Sequence, residues 1–113
     1  MEAKFAVRGE VLVVELNGRL DFESAVPFRR TCLEKLTSEK VVFALRGFSG
    51  VGSLGLTDFV PTLDDLSKQS STGVKFCGVS TEFRRLFEAG GLASHDIFES
   101  QDKAVQSFSA LNI

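Results

Sequence analysis

Five consecutive apolar residues at positions 41–45, VVFAL, followed by glycines at 47, 50, 52 and 55, constrain this chain more than any other feature. A short, unbroken apolar run bounded by turn residues has the pattern of a strand covered on both faces. Beyond the glycines a helical pattern begins, with Leu56, Phe59, Val60, Leu63 and Leu66 recurring at spacings of three and four. Ser53 stands at the far edge of the glycine-rich stretch, just ahead of that helix. A hydroxyl at a helix start can cap the helix, and the free N–H groups there also favour a phosphate. No catalytic acid, base or metal-ligand set accompanies the segment. Its arrangement therefore reads as a switch or a docking surface and not as a catalytic centre.

The flanking sequence supplies the rest of the architecture. Residues 4–8 and 11–17 read as two strands joined by a turn at Gly9-Glu10, and residues 18–21 continue as an extended exit. Ser24 is then placed as an N-cap with Pro27 in the first helical turn, where a missing N–H does little harm. Ala25, Phe28, Cys32 and Leu36 form the apolar face of that helix, leaving Arg29, Arg30, Glu34 and Lys35 mostly on its solvent side. Pro61 predicts either a kink in the second helix or a regular helix beginning later, near Thr57-Asp58. The polar stretch 67–73 ends that helix and leads into a buried-type strand over 74–79. Thr81 is read as the cap of a third helix that stops at Gly90-Gly91. A short strand over 96–99 and a last helix over 102–111 complete one domain at 4–111, with no internal repeat. The order ββαβαβαβα requires crossover connections, hence an α/β layered domain with a mostly parallel sheet and an antiparallel hairpin edge.

Composition excludes several function classes. With 113 residues, the chain can build one core but not two. Thirteen Lys+Arg against fifteen Asp+Glu leave a formal charge of -2, which argues against nucleic acid as the main partner. The eleven Phe residues, without Trp or Tyr, fall at core-like spacings and are read as packing. No apolar run approaches the roughly 18 residues of a membrane span, and the N-terminal residues lack a signal-peptide pattern, so a cytoplasmic location is expected. Cys32 and Cys77 lie in apolar patterns without CxxC spacing and are read as buried, reduced thiols.

Enzyme readings lack parts. His95, the one histidine, stands in a turn with no serine or cysteine motif nearby and reads as a surface or capping residue. The pair Asp64-Asp65 is placed on a solvated helix face. The arginine pairs Arg29-Arg30 and Arg84-Arg85 share helices with acids and read as solvated faces also. The Gly52–Gly55 stretch only superficially resembles a hydrolase elbow, and no GxxxxGK[ST] phosphate loop is present. No cofactor or metal is expected, and nucleotide binding is not expected either.

Element order, length and central segment together resemble the STAS domain family, of the bacterial anti-sigma factor antagonist type. The resemblance covers roughly residues 4 to 110, and its anchors are LNGRLDFESA, VVFALRGFSGVGSLGL, VKFCGVS and FRRLFEAGGL. Family members carry an Asp-Ser-Ser-Gly-Leu-Gly type motif opening the second helix, and its first serine is phosphorylated by a partner kinase that doubles as the anti-sigma factor. Laid onto this chain, the motif falls on Gly52, Ser53, Leu54, Gly55, Leu56 and Thr57. The resemblance thus implies a non-enzymatic regulator of transcription with Ser53 as phosphoacceptor. It implies a partner-binding segment from Gly50 through Thr57, and an anti-sigma factor with serine kinase activity as partner. Three positions depart from the family pattern: Gly52 replaces the motif acid, Leu54 the second serine, and Ala44 a strand acid. Of these, Gly52 and Leu54 favour the alternative of an unphosphorylated STAS scaffold or an accessory subunit of a lipid transporter.

Overall fold

Gly9 and Glu10 turn the chain back on itself, as their sequence predicts, and Gly9 takes a left-handed φ of 63° to do so. The structure is a computed structural model that describes residues 2–20, 22–51 and 56–110. The hairpin consists of β1 (Glu2–Arg8) and β2 (Val11–Leu20), antiparallel from Glu2↔Asn17 to Arg8↔Val11. Helix α1 (Phe22–Lys35) leads to β3 (Lys40–Ala44), which pairs parallel with the first half of β2. After a turn at Arg46-Gly47, β4 (Phe48–Val51) takes over the same flank of β2, opposite Gly18 to Leu20. Then follow α2 (Leu56–Gln69), β5 (Val74–Cys77), α3 (Thr81–Ala89), a 3-10 turn at Ser94–Asp96, β6 (Ile97–Phe98) and α4 (Gln101–Ala110). The sheet order is β1-β2-β3-β5-β6, with every pairing beyond the hairpin parallel.

The apolar run 41–45 is buried on both faces, as expected. Val41 and Phe43 point into a core shared with Phe59, Leu63 and Leu66 of α2 and Phe87 of α3. Val42 and Ala44 point the other way, against Ala104 and Phe108 of α4. Three helices thus cover one face and α4 covers the other. The phenylalanines are packing residues: Phe43 stacks on Phe76 at 5.9 Å, and Phe76 meets the edge of Phe87 at 5.5 Å. Cys32 and Cys77 are both buried, on opposite faces of the sheet.

The mostly parallel α/β layering expected from the sequence is present, and three local features differ. The glycine-rich stretch 47–55 is not wholly loop, because residues 48–51 gain a ladder with β2. Helix α1 begins at Phe22, so Ser24 is not its N-cap and Pro27 is its sixth residue. Helix α2 starts at Leu56, within a residue of the later start that Pro61 predicts, and Pro61 is its sixth residue. At that depth a proline removes one ladder bond from the second turn, and both prolines face outward as exposed residues. The cap of α3 is Ser80, one residue before the expected Thr81, with its Oγ accepting from the Phe83 N–H at 3.2 Å. Gly91, at φ 102°, ends α3 as expected. Its N–H donates to Glu88 O while that of Leu92 donates to Phe87 O, the double closure of a Schellman cap.

Candidate functional site

Strands β2, β3, β4 and β5 run parallel, so their carboxyl ends open onto one edge of the sheet. Open α/β sheets present their binding loops there. Of the expected partner-binding residues, Gly50 belongs to β4, opposite Arg19 of β2, and Leu56 and Thr57 open α2. Gly52, Ser53, Leu54 and Gly55 lie outside the described residues. They follow the carboxyl end of β4 and precede the first turn of α2.

The elements on either side of that segment pack against each other. Phe48, at the start of β4, is buried and stacks on Phe59 of α2 with ring centroids 4.9 Å apart and planes 21° from parallel. The Phe48 ring also meets Phe83 of α3 at 5.6 Å, and Phe59 meets Phe28 of α1 at 5.8 Å. Offset aromatic contacts of this kind add about 0.5–1.5 kcal/mol each beyond area burial. The strand before residue 52 and the helix after residue 55 are therefore joined through one aromatic cluster.

Helix α2 has two further holds. Arg29 of α1 donates to Asp65 at 2.6 Å and to the hydroxyl of Thr62 at 3.4 Å. Thr62 is the buried polar side chain among the described residues, at 1% exposure, so its hydroxyl needs this partner. On the other flank, α2 touches the end of α3. A Cβ at Gly90 would overlap Val60 Cγ1, so glycine permits the close approach of α3 to α2. Asp64 meanwhile receives Lys68 at 2.9 Å, and that contact holds the lysine above its ordinary pKa. The Asp64-Asp65 pair, expected on a solvated face, thus partly serves the α1–α2 joint, and Arg29 is not simply solvent-facing.

The exits of β3 and β5 also converge at this edge. Leu45 N–H donates to Cys77 O at 2.9 Å, and a Cβ on Gly78 would come within 2.8 Å of the Arg46 backbone nitrogen. Gly78 also has a φ of 69°, so its glycine is needed twice over. On the described residues, no cluster of three or more His, Cys, Asp or Glu is placed to hold a metal ion. His95 lies exposed in the 3-10 turn, with Asp96 at 3.7 Å. The thiols of Cys32 and Cys77 are pushed up to about 12 and about 11 by burial, which keeps them protonated and unreactive. The residues that sequence reasoning missed here are positioning residues: Phe48, Arg29, Thr62 and Gly90. The acidic pair and the proximity of Phe48 to the glycines were the available signals.

A family model for the STAS domain matches residues 2–104. The chain belongs to the STAS domain family. Among solved structures, RsbS of Moorella thermoacetica superposes with a TM-score of 0.73 at 15% identity, covering 99% of this chain and 98% of that one. An anti-sigma factor antagonist from Mycobacterium paratuberculosis gives 0.70 at 21% identity, covering 96% and 93%. A sulfate transporter family protein from Wolinella succinogenes gives 0.69 at 18% identity, covering 95% and 91%. No curated protein matches the chain at a significant level. At such identities the likeness is one of fold. No helix among the described residues is long and apolar enough to cross a membrane.

Proposed function

We propose that this STAS domain is a regulatory binding module of the anti-sigma factor antagonist type. It docks through the β4–α2 segment onto an anti-sigma factor with serine kinase activity. Ser53 is the phosphoacceptor, and the domain itself catalyses nothing. The observation that carries this reading is the Phe48–Phe59 stack, which fixes the strand before Ser53 and the helix after it as one unit. A phosphate at Ser53, three residues ahead of α2 in the sequence, would add nearly two negative charges and three acceptor oxygens, and negative charge is favoured near a helix N-terminus. The fold need not change for that charge to block a partner docked flush on this edge. The buried thiols, the exposed lone histidine and the absence of a hydrolase or phosphate-loop motif in the sequence agree with binding over catalysis.

A second reading keeps the fold without the switch: an unphosphorylated scaffold or accessory subunit of a transporter. Gly52 and Leu54 replace the acid and the second serine that accompany the phosphoacceptor in the family pattern. The superposition on a sulfate transporter family protein, 0.69 against 0.70 for an antagonist, does not separate the two. Co-expression with candidate kinase partners, followed by mass spectrometry of the 40–69 peptide, tests the first reading. Phosphate on Ser53, and partner binding abolished by Ser53→Asp but kept in Ser53→Ala, is the expected result. Strong partner binding that ignores Ser53→Asp would remove the switch.

A further inference from the structure

Strand β1 is the free edge of the sheet, and all seven of its residues are exposed. It contains no proline, and its register with β2 runs without a bulge. Its protection is limited to the charges of Glu2, Lys4 and Arg8, and the outer N–H and C=O groups of an edge strand invite pairing with another strand. Its pleat sorts the side chains cleanly. Ala3, Phe5 and Val7 lie opposite Leu16, Val14 and Leu12, on the face covered by α1. Glu2, Lys4, Ala6 and Arg8 lie on the α4 face. Phe5 is 56% and Val7 73% exposed, two of the large apolar side chains the described surface leaves open. Phe5 also borders a groove of about 400 Å³ between β1 and α1, floored by Val14, Leu16 and Phe43 and walled by Pro27 and Phe28.

We propose that β1 pairs antiparallel with β1 of a second copy of this chain, across a two-fold axis at Phe5, joining two sheets into one. The charges on the strand decide both the occupant and the register. A two-fold axis normal to the sheet keeps each side chain on its own face, so only positions of equal parity can face each other. With Phe5 at the axis, all seven residues overlap, Phe5 faces Phe5, Ala3 faces Val7, and Glu2 faces Arg8 twice. Shifting the axis to Lys4 sets Lys4 against Lys4. Shifting it to Ala6 sets Lys4 against Arg8. Both neighbouring registers therefore place like charges opposite, which disfavours them; an axis at Ala3 also pairs opposite charges, Glu2 with Lys4, but overlaps only residues 2–4, so the Phe5 register is the one that pairs opposite charges along the whole strand.

The existing partners of these charges do not forbid it. Arg8 reaches Asp102 at 3.0 Å and Glu2 lies 3.9 Å from Lys4, but all four side chains are about half exposed or more. Exposed pairs of this kind hold each other weakly. Lys4, the usual guard of an edge strand, would face Ala6 and meet no like charge. The aromatic and apolar residues of the odd face meet across the axis, and the two α1 grooves become one trough flanking it. Seven residues give an edge about 23 Å long. A contact confined to that edge buries less than the roughly 1,200–2,000 Å² of stable complexes, so association belongs in the micromolar range or weaker.

Sedimentation velocity over concentrations from about 1 µM to about 1 mM tests this directly. The parent chain is expected to pass from monomer to dimer across that range. Arg8→Glu alone and Glu2→Arg alone each set like charges opposite and should weaken dimerisation about tenfold or more. Combining the two restores opposite charges in the same register and should recover affinity to within about threefold, a rescue that an altered fold would not produce. Phe5→Lys should abolish the dimer, and thermal melts of each variant establish that the monomer still folds. A parent chain that stays monomeric throughout overturns the proposal. So does a dimer indifferent to the single reversals, or one not rescued by the double reversal. None of these outcomes bears on Ser53, whose role is tested separately.

Discussion

Replacing Phe48 by alanine should loosen the β4–α2 joint. Its ring is buried and contacts two others, Phe59 at 4.9 Å and Phe83 at 5.6 Å. Truncating a buried phenylalanine to alanine costs about 3–5 kcal/mol, part transfer and part cavity. Phe48→Leu keeps most of the volume and loses the ring contacts, two pairs at about 0.5–1.5 kcal/mol each, so its cost should be about 1–3 kcal/mol. Urea unfolding followed by far-UV circular dichroism measures both. With a slope of about 1–3 kcal/mol per molar, the alanine variant's midpoint should fall by on the order of 2 M with the slope unchanged. Peptide-level hydrogen exchange on the native Phe48→Ala variant should also show faster exchange across 48–60 than across β3. A loss below about 1 kcal/mol, or exchange that rises equally in β3, would refute the anchoring role.

Three other outcomes follow from the same geometry. Arg29→Ala and Asp65→Ala should be non-additive in a double-mutant cycle, with a coupling of about 0.5–1.5 kcal/mol because the pair is half-buried and well aligned at 2.6 Å; a coupling near zero would show that the contact does not tie α1 to α2. Gly78→Ala should lower stability by about 1–3 kcal/mol, from its left-handed φ of 69° and the Arg46 backbone 2.8 Å from the added carbon, whereas a neutral result would contradict the close crossing. The two thiols titrate high in the native state, about 12 and about 11, against about 8.5 when unfolded. The native state keeps its protons while the unfolded chain loses them, so this contribution is intact below about pH 8.5 and is lost as pH rises toward 11–12. A disulfide-exchange reagent at pH 8 should therefore label neither thiol until denaturant is added, and rapid native labelling would disprove their burial.

Much of the architecture was legible because it rests on local periodicity. The run 41–45 announced a two-sided strand, and Phe59, Leu63 and Leu66 announced the helix that covers it. What escaped was set by contacts distant in sequence. Residues 48–51 put Ser49 and Gly50 between Phe48 and Val51 inside a glycine-rich stretch, and they become a strand because Gly18 to Leu20 of β2 extend past the end of β3 and leave a ladder unfilled. The start of α1 was misplaced because Ser24 and Pro27 look like a helix beginning, whereas the chain already turns helical at Phe22. Asp65 looked solvated because its partner Arg29 is 36 residues away. At the site itself, sequence indicated which residues open α2, but the aromatic anchor at Phe48 required the fold to bring β4 and α2 together.

The most direct test of the central claim is isolation of the native protein from its own cells, with the bound partner identified and phosphosites mapped in the same sample. The account predicts a serine kinase anti-sigma factor bound to chains bearing a free Ser53, and phosphate on Ser53 in the unbound pool. An ATPase or permease subunit as the bound partner, with Ser53 unmodified in both pools, would contradict it.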